Sequence, residues 1–163
     1  MSQQLETVRK EYDDGYYQNK LDQGLEFQDV VTSALYQRGI VVVAYSSRRF
    51  QIEKGENLLG AEIKRDGKFR ETGNLYIETA EKSHPDIPFF TDSGIHRKDN
   101  SWLYVIGDEK TIFIFSTKYL CMLERKKKPD KKDWYPRVTK ITSLGFLLPL
   151  TDADKYCIRK IDL

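Results

Sequence analysis

The chain has 163 residues, of which 39% are hydrophobic and 12% aromatic, so it can form one domain (1–163) with a real core and is too apolar to be intrinsically disordered. No apolar run approaches the roughly 20 residues of a membrane helix, and the first residues lack the apolar stretch of a signal peptide. We therefore expect a cytoplasmic protein with no membrane partner. The net charge of +2 does not by itself indicate a nucleic-acid partner.

The first third of the chain predicts helices followed by a strand. Residues 3–17 have apolar side chains near helical spacing, and Gly24 is expected to separate this helix from the next. In LEFQDVVTSALYQRG (25–39) the apolar residues recur at i, i+3, i+4, i+7 and i+8, which predicts a helix with one buried face, ending at Gly39. The β-branched stretch IVVVAY (40–45) predicts a buried strand.

The rest of the chain predicts strands interrupted by one helix. Strands are expected, in chain order, within 48–66, 74–82, 102–108 and 111–116, with a further one in the tail at 143–150 or 156–161. Residues 84–94 predict a loop. Residues 117–128 predict a helix with Tyr119, Leu120 and Leu123 facing inward. This order of helices and strands predicts a mixed α/β domain with a central sheet.

The stretch LLGAEIKRD (58–66) places Glu62 and Lys64 in the middle of an otherwise apolar strand. Because side chains alternate across a strand, both point to the same face. The pattern of an acidic residue, then any residue, then a lysine is common in this highly charged chain. It recurs at 66–68, 108–110, 124–126 and 130–132. The alternative to a functional pair is a structural ion pair, which contributes about 0 to 1 kcal/mol when exposed.

Further acids could gather beside that pair. They are Glu26 on the helix, Glu56 after Gly55, and Glu78 at the end of NLYIE. Clustered carboxylates repel each other unless a cation lies between them, and Mg²⁺ is usually held by one or two carboxylates with waters and phosphates. A neighbouring lysine would then face the metal-bound water or the phosphate. In outline, this is a site for phosphodiester hydrolysis.

The segment GENLLGAEIKRDGKFRETGNLYIETAEK (55–82), preceded by residues 25–39, resembles the catalytic core of the PD-(D/E)xK nuclease superfamily, and in particular small restriction-type endonucleases of bacteria and phages. The resemblance covers roughly residues 25–120 and lies in the order of the motifs. It implies a restriction-endonuclease-like fold, with a central mixed sheet flanked by helices. It also implies a Mg²⁺-dependent DNA endonuclease, commonly a homodimer, with Mn²⁺ able to replace Mg²⁺.

The same resemblance implies roles for individual residues. Glu56, Glu62 and the backbone carbonyl of Ile63 would bind the metal ion. Lys64 would act on the attacking water, and Glu26 corresponds to a helix-borne acid that holds metal-bound water in some members.

The sequence departs from the family pattern at the first acid. The family has an aspartate there, often after proline, whereas this chain has Glu56 after Gly55. The chain does contain a proline followed by an aspartate, Pro85-Asp86. This pair comes after the triplet Glu62-Ile63-Lys64, however, and lies inside a predicted loop, where proline and aspartate favour turns. We therefore take Glu56 as the first acid.

A run of lysines near residue 130 is a candidate DNA contact. Its members are Lys126, Lys127, Lys128, Lys131 and Lys132, followed by Trp134, Tyr135 and Arg137. Lysines near aromatic side chains suit contacts with a phosphate backbone. A solvated surface loop is the alternative.

Two broader questions stay open from the sequence. Restriction-type cleavage and junction resolution use the same chemistry, and the motifs do not separate them. A non-catalytic nucleic-acid-binding or interaction module on the same fold, with a purely structural Glu62–Lys64 pair, is the rival from another functional class.

Overall fold

A computed structural model describes residue 15 and residues 17–163. The predicted helix at 3–17 therefore lies almost wholly outside the described residues. None of the described helices combines the length and the apolarity that a membrane-spanning segment needs.

The described chain alternates helices and strands. The helices are α1 (Tyr17–Tyr36), α2 (Arg48–Lys54), α3 (Phe69–Thr72), α4 (Thr117–Glu124) and α5 (Leu150–Tyr156), with a 3-10 turn at Gly94–His96. The strands are β1 (Ala61–Arg65), β2 (Asn74–Glu81), β3 (Thr91–Asp92), β4 (Leu103–Gly107), β5 (Thr111–Ser116), β6 (Arg137–Thr139), β7 (Ser143–Pro149) and β8 (Arg159–Asp162).

The strands form two four-stranded sheets. The first sheet has the order β1-β4-β5-β8, with β1 parallel to β4 and the other pairs antiparallel. The second sheet has the order β3-β2-β7-β6 and is antiparallel throughout. The expectation of an α/β protein with a mixed sheet is confirmed.

The first sheet is covered on both faces, and this decides where its polar residues point. On one face, Phe27, Val31 and Leu35 of α1 pack with Ala61 and Ile63 of β1. The other face packs against the second sheet, in a cluster that contains Tyr104 and Ile106 of the first sheet and Leu75, Ile77, Phe146 and Leu148 of the second. Because side chains alternate along β1, Glu62 and Lys64 point toward the second sheet.

Two predictions in the first third of the chain are wrong. Gly24 does not separate two helices, because α1 runs through it from Tyr17 to Tyr36. Residues 40–45 form no strand; Ala44 makes only an isolated bridge to Asn57, and Val41 and Val43 are exposed. The segment lies outside both sheets, so its β-branched side chains have no neighbouring strand on which to pack.

The stretch 48–54 is also helical, where a strand was predicted. Ser47 is the N-cap of α2, and its side chain accepts a hydrogen bond from the backbone N–H of Phe50. This bond satisfies one of the free N–H groups at the helix start. The predicted strands at 74–82, 102–108 and 111–116 are confirmed as β2, β4 and β5, and the helix after them as α4.

Candidate functional site

The candidate site is a cluster of charged side chains between the two sheets, which we call the charged cluster. Its members are Glu56, Glu62, Lys64, Glu78, Arg97 and Asp99. Glu62 is fully buried, with a relative exposure of 0%. In the parallel pairing of β1 with β4, Glu62 lies beside the buried Tyr104. A carboxylate at such a position requires charged partners, because burial of an isolated charge is strongly unfavourable.

Lys64 supplies one of those partners and reaches across to the second sheet. Its ammonium nitrogen Nζ lies 3.1 Å from Oε1 of Glu62 and 3.1 Å from Oε1 of Glu78 on β2. Ser93 Oγ donates a hydrogen bond to the same oxygen of Glu78. Burial alone would lower the pKa of Lys64, but the charges of Glu62 and Glu78 outweigh it and hold the pKa well above its ordinary value. Lys64 is therefore a fixed ammonium cation.

Arg97 is the second cation of the cluster, and no sequence motif assigns it a specific role. Its Nη1 atom lies 3.1 Å from Glu62 Oε2 and 3.6 Å from Glu56 Oε1. Its Nε atom lies 2.9 Å from Asp99 Oδ2. One guanidinium thus contacts three carboxylates, two of which were predicted to bind metal.

Two glycines hold residues 94–100, which we call the Arg97 segment, against the charged cluster. Gly94 has φ +53° and its Cα lies so close to the backbone oxygen of Glu78 that a Cβ would overlap it. Gly55 has φ +96°, and a Cβ there would overlap the side chain of Asn100. At both positions the backbone φ is positive and a neighbouring group lies close to the glycine. Both conditions favour glycine. The segment 94–100 is thereby seated on both Glu78 and the residues around Glu56.

Glu56 follows α2 and completes the cluster from the side of α1. Gln28 Nε2 on α1 donates a hydrogen bond of 3.2 Å to Glu56 Oε2. Burial, and then the charge of Glu62, raise the pKa of Glu56 to about 7, while Lys64 and Arg97 act in the opposite direction. The site thus holds a carboxyl group that is partly protonated near neutral pH.

Negative charge exceeds positive charge in the cluster. Four carboxylates face two cations, so two negative charges remain when all the acids are ionised. Among the described residues, no donor forms a well-aligned hydrogen bond with Glu62 Oε1 or Asp99 Oδ2, although each oxygen is in ionic contact with a cation. These buried oxygens make fewer hydrogen bonds than buried polar atoms usually do.

The residues fit a hard divalent cation through a pair of carboxylates. Within the described part of the chain, no three His, Cys, Asp or Glu side chains are grouped around one metal position. Glu56 and Glu62 face the same guanidinium group, and Mg²⁺ is often held by one or two carboxylates together with waters and phosphates. Glu56 and Glu62, which both contact this guanidinium, are therefore the pair that could hold such an ion.

Other residues singled out from the sequence lie elsewhere. Glu26 is exposed on α1, and no contact joins it to Glu56, Glu62 or Lys64 among the described residues. Gln28, two positions on, contacts Glu56 instead. Asp86 is exposed in the loop after β2, with an oxygen 3.5 Å from Nδ1 of His84.

The lysines of residues 126–132, which we call the basic segment, lie mostly exposed on a loop after α4. Lys127 pairs with Asp133, and Lys132 pairs with Asp130 at 3.2 Å. The ammonium of Lys126 lies 4.2 Å from the ring centre of Trp134. No ion pair joins Lys128 or Lys131 to another side chain of the described chain, so these two are the most available to an anionic partner.

A chain of polar contacts connects the basic segment to the Arg97 segment. Arg137 donates to Glu124 Oε1 at 2.9 Å, and also pairs with Asp133. The second oxygen of Glu124 lies 2.7 Å from Nε2 of His96, which precedes Arg97. The buried Glu124 therefore links the two surfaces.

A cavity of about 420 Å³ opens beside Glu78. Its lining includes Glu81, Lys82, Ile87, Phe89 and Thr142. The ring of Phe89 is exposed. The cavity adjoins the charged cluster through Glu78 and has the size of a small-molecule site.

Comparison of the chain with protein-family models, with curated proteins and with solved structures gave no significant match.

Proposed function

We propose that the chain is a Mg²⁺-dependent DNA endonuclease with a restriction-endonuclease-like fold, similar to the PD-(D/E)xK nucleases. The observation that carries the proposal is the same-face pair Glu62 and Lys64, held between two sheets with Glu56 nearby. A purely structural core would gain more from apolar side chains here, since replacing a buried ion pair by well-packed apolar residues is often neutral or stabilising.

In the proposed reaction, a water oxygen attacks phosphorus as the P–O bond to one sugar oxygen breaks, the water loses a proton to solvent, and the departing sugar oxygen takes a proton from solvent. Bound Mg²⁺ would supply Lewis-acid stabilisation of the phosphate and lower the pKa of water. Glu56 and Glu62 would hold the ion, with the carbonyl of Ile63. Lys64, kept protonated by Glu62 and Glu78, donates hydrogen bonds that orient the water and stabilise negative charge developing on the phosphate.

The rest of the surface supports a DNA partner. Lys128 and Lys131 of the basic segment, which make no ion pair with another described side chain, would neutralise phosphates. The cavity beside Glu78, with its exposed Phe89 ring, offers a stacking surface for a base next to the site. The resemblance adds a homodimeric, cytoplasmic enzyme of a bacterium or phage to the proposal. Sedimentation velocity with and without DNA tests the dimer.

A non-catalytic nucleic-acid-binding or interaction module is the second candidate. One observation favours it: both cations of the charged cluster are already paired with carboxylates. In that case the cluster is a structural junction of the two sheets, and the basic segment alone meets the partner.

The deciding experiment is a cleavage assay on linear, supercoiled, single-stranded and four-way-junction DNA, with Mg²⁺ or with EDTA. Glu62→Ala and Lys64→Ala are compared with Lys98→Ala, which removes an exposed lysine on the Arg97 segment. We expect Mg²⁺-dependent cleavage by wild type and Lys98→Ala, and loss in the two site variants with folding intact by circular dichroism. Wild-type cleavage by Lys64→Ala would overturn the mechanism. DNA binding without cleavage of any substrate would favour the module.

A further inference from the structure

We propose that Arg97 is a built-in counter-ion that Mg²⁺ displaces: its guanidinium contacts both Glu56 and Glu62 and leaves that position when the ion binds. The inference rests on the proposed function, because it takes these two carboxylates as the metal ligands. It assigns to Arg97 control over metal affinity.

The position of the guanidinium carries the argument. A single nitrogen, Nη1, contacts one oxygen of Glu62 at 3.1 Å and one of Glu56 at 3.6 Å. Mg²⁺ binds oxygen ligands at about 2.0–2.1 Å. An ion held by these two oxygens would lie in the space that Nη1 fills, and its double positive charge would repel the guanidinium. The ion and Nη1 therefore cannot occupy the space between the two carboxylates together.

Charge explains why the protein carries Arg97 there. Without a cation between them, two carboxylates in a mostly buried site would repel each other. Arg97 keeps Glu56 and Glu62 side by side in the absence of metal, so the ligands are already arranged. When Mg²⁺ takes the place of the guanidinium between the two carboxylates, two positive charges replace one. The ion then neutralises more of the net negative charge of the charged cluster.

Asp99 provides a place for Arg97 to remain. Its oxygen Oδ2 lies 2.9 Å from Nε of Arg97, its side chain is 0% exposed, and no donor among the described residues forms a well-aligned hydrogen bond with that oxygen. Because Asp99 contacts the Nε side of the guanidinium and the two ligands contact the Nη1 side, Arg97 can release the ligands and keep Asp99. The displaced guanidinium then remains at the site, where it can contact a phosphate.

The test is a calorimetric titration of metal-free protein with Mg²⁺, which needs no DNA and no activity. Arg97→Gln removes the competing charge, Arg97→Lys keeps it, and Lys98→Gln is the matched control on the neighbouring exposed residue. Competing ligands commonly show coupling of 5- to 150-fold, so we expect Arg97→Gln to bind Mg²⁺ about tenfold more tightly than wild type. We expect the Mg²⁺ affinities of Arg97→Lys and Lys98→Gln to stay within about threefold of the wild-type affinity, a smaller change than the usual coupling produces.

A spectroscopic measurement on the wild type guards against a folding defect in the variants. In protein labelled with ¹⁵N-arginine, the Nη–H signals of Arg97, assigned by their absence in Arg97→Lys, are expected to change their shift and solvent exchange on addition of Mg²⁺, because Nη1 contacts the two ligands. Equal Mg²⁺ affinity in wild type and Arg97→Gln, or an unchanged Arg97 signal at saturating Mg²⁺, overturns the inference and leaves the nuclease proposal standing. If neither protein binds Mg²⁺, the metal-dependent function fails, and this inference with it.

Discussion

The ammonium group of Lys64 lies 3.1 Å from Glu78 Oε1, and this contact joins β1 of the first sheet to β2 of the second. The lysine is therefore positioned by both sheets rather than by its own strand alone. A change in the packing of the sheets would move the proposed catalytic ammonium relative to Glu62.

Glu78→Gln should destabilise the protein by about 1–3 kcal/mol, the usual effect of removing one partner from a charged, mostly buried hydrogen-bonded group. The amide keeps the shape of the side chain but removes the charge that Lys64 contacts. Glu81→Gln, on the exposed end of the same strand, is the control and should change stability by less than about 0.5 kcal/mol. Urea unfolding curves of the three proteins measure this. Equal midpoints for wild type and Glu78→Gln would show that the cross-sheet contact does not stabilise the fold.

The pH dependence of stability should reveal Glu56. Its folded pKa is raised from 4.5 to about 7, so the folded state binds more protons than the unfolded state between these values. The contribution of Glu56 to stability is therefore present below about pH 4.5 and disappears as pH rises to about 7. The full shift corresponds to about 3 kcal/mol.

This dependence is measured by unfolding in EDTA at several pH values. Glu56→Gln should remove most of the decline, because an amide does not titrate. Asp99, Lys64 and Arg97 also act on this carboxyl, so the variant is compared with wild type at each pH. The same decline in Glu56→Gln would assign it to another group.

Glu56→Gln should also weaken Mg²⁺ binding and abolish cleavage, because the amide retains the shape and removes the charge that attracts a hard cation. Asp86→Asn is the contrasting change, since Asp86 lies in the exposed loop after β2. It should leave both properties largely intact. Metal calorimetry and the cleavage assay decide between them. An essential Asp86 with a dispensable Glu56 would mean that the first metal ligand has been assigned to the wrong acid.

Replacing Lys126, Lys127 and Lys128 with glutamine should weaken DNA binding for all sequences. It should also flatten the slope of log K against log salt by about 0.9 for each duplex phosphate that the variant no longer neutralises. Among the single variants, Lys128→Gln should have a larger effect than Lys127→Gln, because Lys127 is already paired with Asp133. Fluorescence anisotropy across a salt series measures the slopes, with Lys118→Gln on α4 as control. An unchanged slope in the triple variant would assign the basic segment to solvent.

Gly94→Ala should destabilise the protein by about 2 kcal/mol or more, since a left-handed φ and an overlap both oppose a Cβ. The overlap is with the backbone of Glu78, so the Arg97 segment would shift away from the site. Gly24→Ala is the matched control. It lies within α1 with no atom within 4 Å of a Cβ, and should stabilise the helix by about 0.5–1 kcal/mol. Thermal unfolding compares them; similar melting temperatures for both variants would contradict the packing argument.

The sequence correctly predicted the elements whose apolar periodicity matches the face that they bury in the folded protein. The helix around Phe27 and Val31 and the paired strands β4 and β5 bury the faces that their patterns indicate. The stretch 40–45 failed because strand propensity requires a neighbouring strand, and a local pattern does not tell whether one is present. For α2 a strand was predicted, although Ser47 is a residue type that commonly begins a helix and could have corrected the prediction.

Within the site, the sequence identified the pair that a single strand holds together and missed what the fold brings from elsewhere. Alternation alone places Glu62 and Lys64 on one face. Arg97 reaches them from a segment far along the chain, seated by Gly94 against Glu78, and no local pattern encodes that approach. Glu26 and Gln28 flank Phe27 at about 100° on opposite sides of α1, and helical periodicity alone does not tell which side faces Glu56.

The parallel pairing of β1 with β4 has a kinetic consequence. The chain must pass through β2 and β3 before β4 is available, and such non-local pairing forms slowly. During synthesis, β1 would therefore spend time as an unpaired edge, a state that promotes aggregation unless charged side chains interrupt it. Glu62 and Lys64 provide that interruption. We expect the two charges of the proposed catalytic pair to keep the nascent strand soluble before they meet their partners in the folded protein.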